Sequence, residues 1–180
     1  MLDLPVGHPS CSAAGSFAHT FSCEICPAKQ SWIKGNFSPV LLFDDAQALG
    51  RAKAWDVLSL SLQTVPSSDA IVGGTSCVDL SNQKHSEKEG VIASHEGQSS
   101  VTFLGLLSYC RRHRPPLVFG ENVWNLILVA SNWDELVSLF RSIGYVMSFV
   151  CADPRYFKVP HRRKRAYYWG FDVSGTTWLR

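Results

Sequence analysis

Several things are absent from this chain of 180 residues, and each absence closes off a class of protein. It has no run of about 18 apolar residues, so it shows no membrane span. No charged segment followed by an apolar one opens it, which argues against a secreted protein. Its six cysteines, Cys11, Cys23, Cys26, Cys77, Cys110 and Cys151, follow no framework spacing, so reduced thiols in the nucleus or cytoplasm are expected. Cys23-x-x-Cys26 lacks a second ligand pair at zinc-site spacing, so no metal site is expected, although redox or metal chemistry there is a minor alternative. There is no internal repeat, and no excess of one charge: 17 Lys+Arg stand against 15 Asp+Glu, a net charge of +2. Any basic footprint for nucleic acid must therefore be local. Two basic clusters exist, Arg111 to Arg114 and His161 to Arg165, and both are expected at a catalytic edge.

What is present is an alternation of short apolar runs and helical stretches in a chain of one-domain length. Phe21 to Ile25, Val40 to Phe43, Ala70 to Gly73, Leu117 to Phe119, Met147 to Val150 and Ala166 to Trp169 read as buried strands. Lys29 to Asn36, Val101 to His113 and Asn132 to Ile143 read as helices, the last ended by Gly144. The pattern predicts βαβ units and a mostly parallel sheet, whose ligand site lies at the carboxyl ends of the strands. Ser81 to Ser100 is the one long polar stretch, predicted to be a loop with a function of its own.

Three groups of residues at those strand ends carry chemistry. Cys77 follows the strand at Ala70 in a Gly73-Gly74-Thr75-Ser76 turn, where a thiol can meet a substrate, though a lone cysteine also serves as a small buried hydrophobe. Glu121 and Asn122 follow Leu117-Val118-Phe119, setting an acid and an amide at the same edge; alternatively Glu121 starts a helix and Asn122 caps a turn. His161-Arg162-Arg163-Lys164-Arg165 precedes an aromatic strand, and Arg163 and Arg165 share one face if that strand begins early. A nuclear-import patch or a solvated strand edge is the competing reading.

In this order, Cys77 in a glycine-rich turn, Glu121-Asn122-Val123, and Pro160-His161-x-Arg163-x-Arg165, the set resembles the cytosine-5 methyltransferase family. Phe21-Ser22-Cys23-Glu24 and Leu42-Phe43-Asp44-Asp45 resemble the family's second and third cofactor-site strands, so the likeness covers Phe21 to Gly170. It implies an α/β, Rossmann-like fold that uses S-adenosylmethionine, incomplete at both ends: an ill-defined segment 1–20, a partial catalytic core 21–170 and a tail 171–180.

By the same resemblance Cys77 is the nucleophile, Glu121 the acid that holds the target base, and Arg163 and Arg165 the arginines facing that base and the active-site loop. Glu24, Asp45 and Gly73 fall in the cofactor site, and Ser81, Asn122 and His161 on the nucleic-acid side. Ser81 to Ser100 becomes the lid that closes over a flipped base. Carbon 5 of cytosine is a poor nucleophile, so a thiolate adds at carbon 6 and turns the ring into an enamine. The hidden carbon 6 requires the base to leave the duplex, at a cost of a few kcal/mol.

Ser76 stands where the family has proline and His161 where it has glutamine, and neither change removes a reacting group. The family's first motif, a Phe-x-Gly-x-Gly turn, and its target-recognition region find no counterpart. The expected partner is DNA. RNA of the transfer-RNA type, or a role as an inactive binding module, are the alternatives, and the oligomeric state is not readable.

Overall fold

The computed structural model describes residues 18–80, 91–92 and 97–175. Two four-stranded sheets and four helices share one apolar core, to which Phe43, Ile71, Phe103, Tyr109, Val118, Phe140 and Tyr168 contribute. The first sheet contains β1 (Ser22–Cys23), β2 (Leu42–Phe43), β3 (Lys53–Asp56) and β4 (Ser61–Thr64), in that order. α1 (Pro27–Phe37) connects β1 to its parallel neighbour β2, a crossover that parallel pairing requires. The second sheet is ordered β5 (Ala70–Gly74), β6 (Leu117–Val123), β8 (Arg165–Asp172), β7 (Tyr145–Ala152). α2 (Gly97–His113) crosses from β5 to the parallel β6, while α3 (Asn125–Leu128) and α4 (Ala130–Ser142) lead on to β7.

The expected α/β class holds, but the sheets are mixed rather than mostly parallel. Among the described residues only β1–β2 and β5–β6 pair in parallel; β2–β3, β3–β4, β6–β8 and β7–β8 are antiparallel. The physical reason lies in the connections. Residues 57–60 form a tight turn, and the chain between β7 and β8 holds only a short 3-10 turn at Pro154–Phe157, so each returns the chain antiparallel instead of crossing over.

Strict alternation organises the second sheet. Val118, Gly120 and Asn122 of β6 and Ala166, Tyr168, Gly170 and Asp172 of β8 are buried on the face covered by α2, where Phe103 meets Tyr168. Phe119, Glu121, Val123, Arg165 and Tyr167 occupy the other face and are half-buried. Gly120 is obligatory here: a Cβ at this position would sit 2.1 Å from the Tyr168 ring that lies across it.

The predicted loop 81–100 is shorter than expected. Gly97 to Ser100 already belong to α2, and Val91 and Ile92 are buried in the core. Residues 81–90 and 93–96, Ser81 among them, lie outside the described residues. α2 starts early because its cap is distant in sequence. The Asp79 carboxylate accepts the Ser99 backbone N–H at 2.9 Å, and the Ser99 hydroxyl bonds the Asp79 N–H at 3.1 Å. Gly97, with φ +81°, lets the chain pass this carboxylate, which a Cβ would approach to 2.6 Å.

Candidate active site

The Cys77 turn is pinned on two sides. Ser76 N–H donates to the Thr102 hydroxyl of α2 at 2.9 Å, and the Asp79–Ser99 pair fixes the far side of the turn. From β6, the Asn122 amide donates to both the Thr75 carbonyl (3.0 Å) and the Thr75 hydroxyl (2.9 Å). Cys77 itself is partly accessible at the carboxyl end of β5, its carbonyl accepting the Leu80 N–H in a tight turn.

Glu121 lies at the same edge. β5 and β6 run in parallel register with Gly74 opposite Glu121, so the acid leaves the sheet beside the segment that carries the thiol. Glu121 and Asn122 are both strand residues, not the helix start or turn cap that the sequence also allowed, and their side chains divide the work. Asn122, expected on the nucleic-acid side, is 1% exposed and holds the Cys77 turn from the α2 face. Glu121 points to the opposite face, where its Oε1 lies 2.8 Å from Nε of Arg165.

β8 begins at Arg165, so Arg163 precedes the strand and does not share its pleat. Arg163 is exposed, as are His161, Arg162 and Lys164. The run nonetheless borders the site, because β8 is antiparallel to β6 and its start falls at the carboxyl end of β6. Together with Trp124, Asn125 and Leu128, residues 161–165 line an open cleft of about 460 Å³.

The other basic cluster is elsewhere. Arg114 precedes β6 at the opposite end of the sheet, where Nε donates to Asp172 at 2.8 Å and a second nitrogen binds the Ile143 carbonyl. Its guanidinium also lies over the Tyr145 ring. Arg114 is a structural clamp, which corrects the expectation that Arg111 to Arg114 belong to the catalytic edge.

The first sheet forms an acidic edge. Glu24 follows β1 directly, and Asp45 lies two residues past the end of its parallel neighbour β2. Glu24 accepts the Cys26 N–H at 2.8 Å, and Asp45 accepts the Gln47 N–H at 2.9 Å. Burial first, and then the charges of Asp45, Asp44 and Glu24, push the Cys23 thiol up to about 12. An edge rich in carboxylates repels phosphate and accepts hydrogen bonds from hydroxyl and amino groups. That fits S-adenosylmethionine, an uncharged-sugar nucleoside with no phosphate. Gly73 faces α2, and a Cβ there would meet only a Leu106 methyl at 3.9 Å, so nothing in its surroundings requires glycine.

The model of the C-5 cytosine-specific DNA methylase family matches residues 11–177. The chain belongs to that family. A DNA (cytosine-5-)-methyltransferase DMT5 of Cryptococcus neoformans is 37% identical over 152 residues, which is 84% of this chain and 6% of that protein. The type II methyltransferase M2.BsuMI of Bacillus subtilis is 27% identical over 145 residues, 79% of this chain and 33% of that protein. Among solved structures, the Entamoeba histolytica methyltransferase EhMeth aligns with a TM-score of 0.59 at 13% identity, over 95% of this chain and 50% of its own. S. pombe Dnmt2 aligns with a TM-score of 0.57 at 17% identity, over 88% and 45%. The chain thus spans a third or less of these curated relatives and no more than half of these structural neighbours. The methylase fold is shared, and within it the resemblance seen in Cys77, Glu121 and Arg165 falls at one sheet edge.

Four positioning residues escaped the sequence reading: Thr102, Ser99, Asp79 and Asn122 in its role as a clamp. Only Asn122 carried a signal, its place next to Glu121 in a strand of period two, which turns neighbouring side chains to opposite faces.

Proposed function

We propose that the chain carries the catalytic centre of a cytosine-5 DNA methyltransferase acting in the nucleus, with Cys77 as the nucleophile that adds to carbon 6 of a flipped cytosine. The observation that carries this reading is the convergence of Cys77, Glu121 and Arg165 at one edge of β5, β6 and β8, with the thiol's turn tied to β6 through Asn122 and Thr75. As Cys77 Sγ bonds to carbon 6, negative charge spreads onto ring nitrogen 3 and the exocyclic oxygen. Glu121 shares a proton with nitrogen 3, and Arg165 keeps the Glu121 carboxyl in place while adding positive charge beside the ring. Carbon 5 is then an enamine carbon able to take a methyl group. Loss of the carbon-5 proton to a base expels Cys77, restoring the thiolate and the aromatic ring.

S-adenosylmethionine, which supplies an electrophilic methyl group, would be held by Glu24 on its ribose hydroxyls and by Asp45 on its adenine amine, with Gly73 near the same edge. Arg163 and His161 border the strand that carries the base, and Ser81 follows the nucleophile by four residues.

The test is methyl incorporation from labelled S-adenosylmethionine into cytosine-containing duplex DNA and into transfer RNA. Incorporation into DNA that disappears in Cys77→Ala supports the proposal. Incorporation confined to transfer RNA makes the chain an RNA methyltransferase of the same chemistry, and incorporation by Cys77→Ala refutes the nucleophile. Calorimetry with S-adenosylmethionine tests the remaining alternative: binding of millimolar strength or weaker by the folded chain would favour a non-catalytic module.

A further inference from the structure

The cleft beside the Glu121–Arg165 pair contains residues that this catalytic scheme does not use. Trp124 follows Glu121-Asn122-Val123 at the end of β6 and is partly accessible. The Lys164 ammonium lies 5.1 Å from the centre of its ring. Around them stand Arg162, Arg163, His161 and Arg165, with Asn125 and the exposed Leu128 of α3 as the remaining wall. No acidic side chain lines the cleft among the described residues. The turn that leads into this basic run is itself fixed, since Arg155 is neutralised by two bonds to the buried Asp153, at 3.1 and 2.7 Å.

An indole face inside a run of cations matches one ligand chemistry well. Every nucleobase has a π-face that stacks on an aromatic ring whatever its sequence, and guanidinium and ammonium groups hold the phosphates on either side. A volume near 460 Å³ is in the range of small-ligand sites and accommodates a base with its sugar. A partner lacking phosphate would leave the cations unpaired, and one lacking a flat ring would leave Trp124 under Lys164.

We infer that this cleft is a second nucleic-acid subsite, in which an unpaired base adjoining the target cytosine stacks on Trp124 while Arg162 and Lys164 take its flanking phosphates. The inference rests on the nucleic-acid reading above and extends it to a single-stranded segment next to the flipped base. In the unliganded protein Lys164 covers the indole; when a base arrives, the ammonium moves from the ring to a phosphate. Lys164 is exposed, so the exchange requires only rotation about its side-chain bonds.

The experiment measures binding of a labelled oligothymidylate of about 12 nucleotides and of its abasic analogue by fluorescence anisotropy at several salt concentrations. Neither probe contains cytosine, so neither can accept a methyl group at carbon 5. The wild-type chain should prefer oligothymidylate over the abasic strand by about tenfold. Trp124→Leu, which keeps apolar volume, should abolish that preference, and Trp124→Phe should retain most of it. Arg162→Gln and Lys164→Gln should weaken both probes alike and each lower the salt slope by about 0.7. Arg162→Gln changes an exposed side chain, so its result is independent of any packing defect at Trp124.

The inference is overturned if the wild type binds neither probe at low salt, if it shows no base preference, or if Trp124→Leu keeps that preference. Cys77→Ala should bind both strands as the wild type does. A Trp124-dependent preference without methyl transfer would refute the catalytic proposal and leave this subsite standing; methyl transfer without that preference would do the reverse.

Discussion

Glu121 and Arg165 sit diagonally across two antiparallel strands, with Glu121 opposite Tyr167, Arg165 opposite Val123, and Oε1 to Nε at 2.8 Å. Each side chain is about one-fifth exposed, so the pair is partly buried at the sheet edge, with water still reaching both groups. Ion pairs that water still reaches add little net stability, roughly 1 kcal/mol. Arg165→Gln should therefore shift the unfolding free energy by no more than about 1 kcal/mol. Its methyl transfer should fall by about 100-fold or more, and Glu121→Gln should match it, because the first loses the group that aims the acid and the second the acid itself. Denaturant titration beside initial rates checks this; equal losses of stability and rate would mean that the pair is only structural.

Asn122 gives the opposite signature. Truncation to Ala removes both bonds from this buried amide to the partly buried Thr75, costing about 1–3 kcal/mol. Because the Cys77 turn loosens as well, the fraction of protein trapped covalently by a mechanism-based oligonucleotide should fall even well below the melting temperature. Thermal melts and trapping yields measured on the same preparations provide the check.

Two glycines that face each other across β5 and β6 should respond very differently. A Cβ at Gly120 would drive into the fully buried Tyr168 ring, so Gly120→Ala should destabilise by about 1–3 kcal/mol through overpacking. Gly73→Ala meets only Leu106 and should fold as the wild type does. Any loss of affinity for S-adenosylmethionine in the folded Gly73→Ala protein would then report on the cofactor and not on the sheet.

Acid should unlock the fold at two carboxylates. Burial alone would raise Asp172, but hydrogen bonds from Ser174 and Arg114 outweigh it and hold the carboxyl below its ordinary value. Asp56 is lowered in the same way, its burial outweighed by bonds from Ser59, Leu42 and Leu58. Because both folded values lie below the unfolded one near 4, their stabilisation is complete above that pH. It is lost as pH falls through the depressed values. Melting temperature followed from neutral pH to pH 2 should drop less steeply in Asp172→Asn than in the wild type, from a lower starting point. Parallel curves would show that Asp172 does not contribute to the acid transition.

These contrasts also indicate what a sequence can and cannot reveal here. β1, β2, β5, β6 and β8 announce themselves as apolar runs because each buries side chains in the core, and β7 does so by composition alone, since Val146, Phe149 and Val150 are exposed and only Tyr145 is buried. The hairpin of β3 and β4 does not: Trp55 and Leu62 are exposed, its strands include Lys53, Ser61 and Gln63, and its turn takes a left-handed Leu60 in place of glycine. The early start of α2 was hidden because its cap, Asp79, lies 20 residues before Ser99. Cys77, Glu121 and Arg165 were legible by type and order. Their contact depends on the register of β6 with β8, a long-range property, and the same dependence separates the structural Arg114 from the cations at the cleft.

Covalent trapping tests the central claim most directly. Duplex DNA carrying 5-fluorocytosine, incubated with the chain and S-adenosylmethionine, leaves no proton at carbon 5 to be removed, so a thiol added at carbon 6 cannot depart. Denaturing electrophoresis and intact mass measurement should reveal a protein–DNA adduct joined through Cys77 in the wild type and none in Cys77→Ala. An adduct that persists in Cys77→Ala, or its absence from a wild-type chain that methylates the same DNA with cytosine, would contradict the account.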